Sequence, residues 1–349
     1  MQAPPPGYAP GYAPGYVPGY SAGPPPPGYL PTLAAAHKPG AIPLRPLKLG
    51  DIYDGAFKII RFNPRSTVGS AVLVTAVAMA VPILITGILT ATLDLSFTAL
   101  DSTDPGASDT VGAYSAYGSI VTGSILQTIG LVFVTGMIVH VTAAAAVGRK
   151  LSLGGAWEAT RGKRAALIGL AALLFGGTLA YLALAVGLIV LVAVTLPQVA
   201  AVLIGIALGA GSLVAMFFFW GRVYYLAVPP LMLEPVGVGG ALRRSWRLTA
   251  GQFWRTVGIA LLTMMITQIA GSILSTPFSV IGIVGTIAAG GNGASLLIYV
   301  VTNAVATVIS AAFVAPFTSA VTSLQYLDQR IRKEGYDVEL LTRAGVTGL

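Results

Sequence analysis

The sequence predicts an all-α, polytopic membrane protein with six transmembrane helices, arranged as three repeats of an amphipathic interfacial helix followed by a transmembrane hairpin. Three observations carry this. Of 349 residues, 55% are hydrophobic and only 9% charged, whereas soluble domains carry about 25% charged residues. Six apolar stretches, at about 67–93, 115–147, 165–195, 199–221, 256–289 and 295–325, each exceed the ~20 residues that a bilayer span needs. A basic amphipathic block, clearest at Val238–Arg255, recurs in altered form ahead of each pair of stretches.

Residues 1–46 are dominated by Pro, Gly, Tyr and Ala, with APGY, APGY and VPGY running from Ala9 to Tyr20. Such a segment buries too little apolar surface to offset its ordering entropy, so a disordered tail with polyproline II character is expected. It serves as a solvated spacer or as a tyrosine-bearing adhesive segment. It lacks a basic region followed by an apolar core, so no cleavable signal peptide is expected. Next, Leu49, Tyr53, Ala56, Phe57 and Ile60 share one helical face, opposed by Asp54, Lys58, Arg61 and Arg65. Asp54 and Lys58 are spaced for an ion pair, and Pro64 should end this first interfacial helix. The six spans follow, the fifth interrupted at Pro277. Gly205 and Gly209 in the fourth have the spacing that lets helix backbones approach closely. Residues 329–349 form a C-terminal tail.

The loops set the orientation. All 20 Lys and Arg precede the first span, lie between spans two and three or four and five, or follow the sixth. The loop 94–113 carries Asp94, Asp101, Asp104 and Asp109 and no base. The positive-inside rule then puts both termini and both basic loops in the cytoplasm of a multi-pass cell-membrane protein. The net charge of +8 thus belongs to topology, and nucleic acid is not an expected partner.

In the block Val238–Arg255, read as one helix, Val238, Leu242, Trp246, Thr249 and Phe253 form an apolar stripe, with Arg243, Arg244, Arg247 and Arg255 opposite. That is the pattern of a helix lying in a membrane interface, its guanidinium groups toward lipid phosphates. Anionic membrane lipids are the expected partners, bound by Lys58, Arg61, Arg65, Arg243, Arg244, Arg247 and Arg255, with Trp246 and Trp254 at the interface. A membrane-protein partner or a homo-oligomer also fits this surface. Leu-Lys-Leu-Gly at 47–50, Leu-Ser-Leu-Gly at 151–154 and Val-Gly-Val-Gly at 236–239 each open such a stretch, which gives the threefold repeat.

The segments PLRPLKLGDIYDGAFKIIRFNPR (43–65) and LRRSWRLTAGQFWRTVG (242–258) resemble actinobacterial membrane proteins described as carrying a glycerophosphoryl diester phosphodiesterase membrane domain. The resemblance covers about 43–330 and implies a membrane fold without the catalytic barrel that accompanies it in some relatives. Proline-rich cytoplasmic N-terminal tails are also similar to those of such proteins.

That barrel needs histidines for acid-base work and carboxylates to hold a divalent metal. Here the two histidines are His37, in the tail, and His140, in the second span. With no Cys, no phosphate loop and no metalloprotease or hydrolase motif in the sequence, neither an enzyme nor a cofactor is expected. Within the spans the notable polar residues are Gln127, His140, Gln268 and Asn303, read as interhelical hydrogen-bonding groups, with His140 a candidate proton or substrate site. Two functions follow: a non-enzymatic scaffold or accessory subunit at the cytoplasmic face, or a transporter or channel for lipid or a small amphiphile.

Overall fold

The computed structural model describes residues 42–43, 45–93, 107–290 and 293–343, and every described element is a helix. The sequence expectations for His37 and nearly all of the tail, and for Asp94, Asp101 and Asp104, lie outside the described residues, as does the side chain of Asp109.

The first helix, α1 (Leu49–Phe62), starts where the Asp51 carboxylate accepts the Lys48 backbone N–H at 3.0 Å. Its buried residues Ile52, Gly55, Ala56 and Ile59 recur at three- and four-residue steps, the period of one helical face. Asp54 and Lys58 form the expected ion pair at 2.5 Å. The helix ends at Phe62, and Pro64 takes the first position of α2 (Pro64–Leu93), where a missing N–H costs nothing. There follow α3 (Ala107–Ala146), α4 (Leu153–Ala159), α5 (Arg164–Thr195), α6 (Gln198–Phe219), a π-helical turn (Trp220–Tyr224), α7 (Val228–Leu233), α8 (Val238–Thr249), α9 (Phe253–Ala288), α10 (Gly293–Glu334) and α11 (Tyr336–Arg343).

Six of these helices, α2, α3, α5, α6, α9 and α10, are long and apolar enough to cross a membrane. This is a multi-pass membrane protein. A short helix precedes each pair: α1 with 14 residues, α4 with 7 and α8 with 12. The pairs are not equivalent in packing. Helix α10 is central, lying along α9, α2 and α3 and crossed by α1. The α5–α6 pair is held mainly through the start of α5, where Leu167, Leu170, Ala171 and Leu174 are buried, and only Ala201 is buried in α6.

Four expectations need correction. Val238–Arg255 is not one helix: α8 stops at Thr249, Gly251 turns the chain at φ 76°, and α9 begins at Phe253. Helix α9 passes unbroken through Pro277; one lost backbone bond does not break a helix supported along its length. Residues 329–349 are not wholly a tail, since α10 runs to Glu334 and α11 follows. Ile42, placed in the disordered segment, is buried against Gly55 of α1.

Close backbone approach also falls elsewhere. A Cβ on Gly209 would meet nothing within 4 Å, and one on Gly205 only Ile189 at 4.0 Å. On α9, by contrast, a Cβ on Gly271 would stand 2.8 Å from Ser310 Oγ, one on Gly285 2.8 Å from Ile298, and one on Gly282 against Thr302 Oγ1. These glycines let α9 lie tightly on α10. Gly282→Val should therefore cost about 1–3 kcal/mol by forcing the helices apart, read as a lower melting temperature in mild detergent. Gly209→Val should leave that temperature unchanged.

Candidate functional site

The short helices and the described Lys and Arg gather at one end of the bundle, the basic end, where two carboxylate centres organise them. Asp328 on α10 has a fully buried side chain. It accepts the Leu47 backbone N–H at 2.7 Å, the Arg332 guanidinium at 2.9 Å and the Arg255 guanidinium. Arg255 and Arg332 also donate to the Leu47 carbonyl, at 2.7 and 2.8 Å. The second centre is Glu234, after α7. It binds Arg244 of α8 at 2.9 Å and accepts the Tyr326 hydroxyl at 2.6 Å. Arg244 also reaches Glu334, which pairs with Arg330 at 3.0 Å. Burial of Arg244 works against its charge, but the hydrogen bonds and ion pairs to Glu234 and Glu334 outweigh this and raise its pKa above the ordinary value. Lys163 donates to the carbonyls of Glu234 and Val236, and Lys333 to those of Arg247 and Ala250.

The residues expected at the lipid interface therefore divide. Arg61, Arg65, Arg243 and Arg247 are exposed, and among the described residues none of them forms an ion pair. Trp246 and Trp254 are 49% and 71% exposed, with the Arg222 guanidinium 4.9 Å from the Trp246 ring. Lys58 is held by Asp54. Arg244 and Arg255 turn inward instead, because α8 presents Ala241, Ser245, Leu248 and Thr249 to the protein and Arg244 flanks that stripe. Arg255 belongs to another helix.

A second feature lies in the half of the bundle away from the basic end. Helix α9 packs along α10 but makes no comparable contact with α2 or α3, so a cleft opens between α9 and the α2–α3 pair with α10 as its floor. Its cavity is about 330 Å³. Gln127 of α3, Gln268 of α9 and Asn303 of α10 all line it, together with Thr75, Ser279 and Ser310. Among the described residues no charged one does. The three amides are exposed and make no side-chain hydrogen bond among the described residues, so the interhelical bonding expected for them is absent. Gln268 lies ~20 Å beyond Arg255 and Asn303 ~37 Å beyond Asp328 along their helices. Toward the basic end the same face of α10 carries Phe313 and Phe317, stacked 5.5 Å apart, with Tyr53 and Phe57 of α1 at 5.9 and 4.9 Å from Phe317. The Tyr53 hydroxyl lies 3.1 Å from Thr263 Oγ1 on α9.

His140 belongs to neither feature. Its Nε2 is buried without a partner, and it lines a separate cavity at the basic end with Arg149 and Lys150. Among the described residues no three of His, Asp and Glu gather as metal ligands. Compared with known proteins, the chain matches no family model, no curated protein and no solved structure.

The inward arginines give a direct test. Asp328→Asn leaves two guanidinium groups without their buried counter-charge and should cost about 3 kcal/mol, measured as melting in detergent. Arg243→Gln with Arg247→Gln should change stability by less than about 0.5 kcal/mol.

Proposed function

We propose that this is a non-enzymatic membrane transporter for a lipid or small amphiphile whose polar group is uncharged, and that the α3–α9–α10 cleft binds it. The observation that carries the proposal is that Gln127, Gln268 and Asn303, from three separate helices, line one elongated cavity and make no side-chain hydrogen bond among the described residues. Gln268, ~20 Å from the basic end along α9, falls within a hydrocarbon core about 30 Å thick, where a bare amide costs several kcal/mol, so the cavity must hold water or a ligand with donors and acceptors there. The neutral lining offers nothing to balance a phosphate or a carboxylate, and suits hydroxyl, ester or amide groups instead. The walls supplied by Leu131, Val134 and Val314 accept alkyl carbon.

The aromatic cluster of Tyr53, Phe57, Phe313 and Phe317 and the bonds around Asp328 close the cleft toward the basic end. With that end cytoplasmic by the positive-inside rule, the cavity belongs to the outer half of the cell membrane, and α1 is the element whose displacement would open the inner side. The resemblance of segments 43–65 and 242–258 to a membrane domain without its catalytic barrel accords with a protein that moves rather than converts its cargo.

A second reading, a scaffold or accessory subunit, is favoured by the α5–α6 pair, whose apolar surface beyond Leu174 packs on little of the chain, and by the exposed arginines. It expects a partner that stays bound in gentle detergent.

Reconstituted vesicles separate the two. Transport of a fluorescent amphiphile above protein-free controls is expected, and Gln127→Leu, Gln268→Leu and Asn303→Leu combined should abolish it without lowering the melting temperature, because those amides make no side-chain hydrogen bond among the described residues. Single cysteines at the three positions, in a chain with no Cys, should react with a water-soluble thiol reagent. Absent flux together with unreactive cysteines would sink the transport reading.

A further inference from the structure

We infer that the cavity at the basic end, beneath α11, is a binding site for the phosphate headgroup of an anionic glycerophospholipid. It rests on the protein spanning a membrane and not on the cleft, so either proposal can fail alone.

The site is built by the end of α3. His140, Ala143, Ala144 and Val147 fall at three- and four-residue steps, so they line one face, and all four border a cavity of about 470 Å³. The helix then closes with a left-handed glycine, Gly148 at φ 77°, and with the Arg149 N–H donated back to the Ala144 carbonyl at 2.9 Å. This termination reverses the chain and sets Arg149 and Lys150 on the rim above His140. The return is pinned by the Leu151 N–H donating to Asn63 Oδ1 at 3.2 Å. Opposite, α11 brings Tyr336 and Leu340 to the same cavity.

The electrostatics are one-sided. Neither Arg149 nor Lys150 has an ion-pair partner among the described residues; Lys150 only overlies the Phe62 ring at 4.9 Å. The nearby carboxylates are directed elsewhere, Glu158 to Arg161 at 2.8 Å, Glu234 to Arg244, and Glu339 toward Arg330, and Asp337 does not border the cavity. The buried Nε2 of His140 adds a third polar group with no protein partner. Two cations and an imidazole around a space with no acidic wall call for an acceptor-rich anion.

Depth identifies the anion as a lipid. His140 lies ~9 Å inside the end of α3, within the apolar segment Ile125–Ala146, and Leu151, Leu233 and Leu340 join the alanines and Val147 in the apolar part of the walls. Apart from His140 and Tyr336, the walls below the two cations are alkyl, so they suit a ligand that carries carbon below its charge, as the glycerol and acyl chains of a phospholipid do, with the phosphate at the height of Arg149 and Lys150.

The test is native mass spectrometry of the full chain in mild detergent, titrated with phosphatidylglycerol or with phosphatidylcholine of the same acyl chains. The wild type should prefer phosphatidylglycerol, and Arg149→Gln with Lys150→Gln should weaken that binding about tenfold or more, as expected for two cations near a phosphate. Leu340→Trp, which fills the cavity and keeps both cations, should weaken it likewise, while Arg243→Gln with Arg247→Gln should not. Both rim residues are exposed, so melting of the Arg149/Lys150 variant should match the wild type, confirming that it is folded. Equal binding by wild type and the Arg149/Lys150 variant overturns the site. So does an equal loss in the Arg243/Arg247 variant, which would mark general surface attraction. Displacement of the lipid by equimolar glycerol phosphate would overturn the lipid assignment and leave a site for a free anion.

Discussion

The buried carboxylate of Asp328 is the constraint on which the basic end depends. It is shut off from bulk solvent, so its position is tenable only with hydrogen-bond donors arranged around it. Those donors come from three places: the chain entering α1 at Leu47, the first turn of α9 at Arg255, and Arg332 one turn further along α10. The two guanidinium groups take up the Leu47 carbonyl as well, so donors and acceptors are satisfied together and the geometry admits few alternatives. One residue thereby joins the start of the described chain to its last span. Glu234 does the same for α7, α8 and the end of α10, through Arg244 and Tyr326.

The two halves of the molecule meet opposite electrostatic demands. At the basic end charges are plentiful and mostly matched, and the unmatched ones face outward or overlook the α3 cavity. In the other half no charged residue among those described lines the cleft, and polarity is supplied by amides and hydroxyls. Several of those hydroxyls already donate to their own helix, as Ser279 does to the Ser275 carbonyl at 3.2 Å and Thr307 to Asn303 at 2.8 Å. The amides, with Thr75 and Ser310, are left as the described groups with free hydrogen-bonding capacity there.

Much of this was legible in the sequence, and the limits follow from physics. The spans could be read because an apolar run longer than a bilayer has few other uses, and α1 as a helix with its Asp54–Lys58 pair because that spacing is local in sequence, but its buried face could not: it is Ile52, Gly55, Ala56 and Ile59, while Leu49 and Phe57 of the expected face are exposed. The fates of the arginines could not be read. On a helical projection Arg243 and Arg244 are equivalent polar residues; what separates them is Glu234 and Glu334, brought near Arg244 by the packing of α7 and α10. Gln127, Gln268 and Asn303 were each conspicuous as polar groups in apolar runs, yet their lining one cavity depends on how α3, α9 and α10 pack, which no local pattern encodes. The tight glycines were misplaced for the same reason: Gly205 and Gly209 have the right spacing, but α6 meets little against which to close. His140 stood out, while its surroundings depend on the turn at Gly148.

The central place of α10 has a consequence for biogenesis. It is the sixth of the described spans, yet α2, α3 and α9 all pack on it and Asp328 lies on it. During synthesis five spans therefore enter the membrane before the helix that unites them exists, with Gln127 and Gln268 lacking their final surroundings and Arg255 lacking its counter-charge. Insertion and assembly are thus separate stages, and the interval between them is one in which this chain depends on whatever shelters unpaired polar groups in the bilayer.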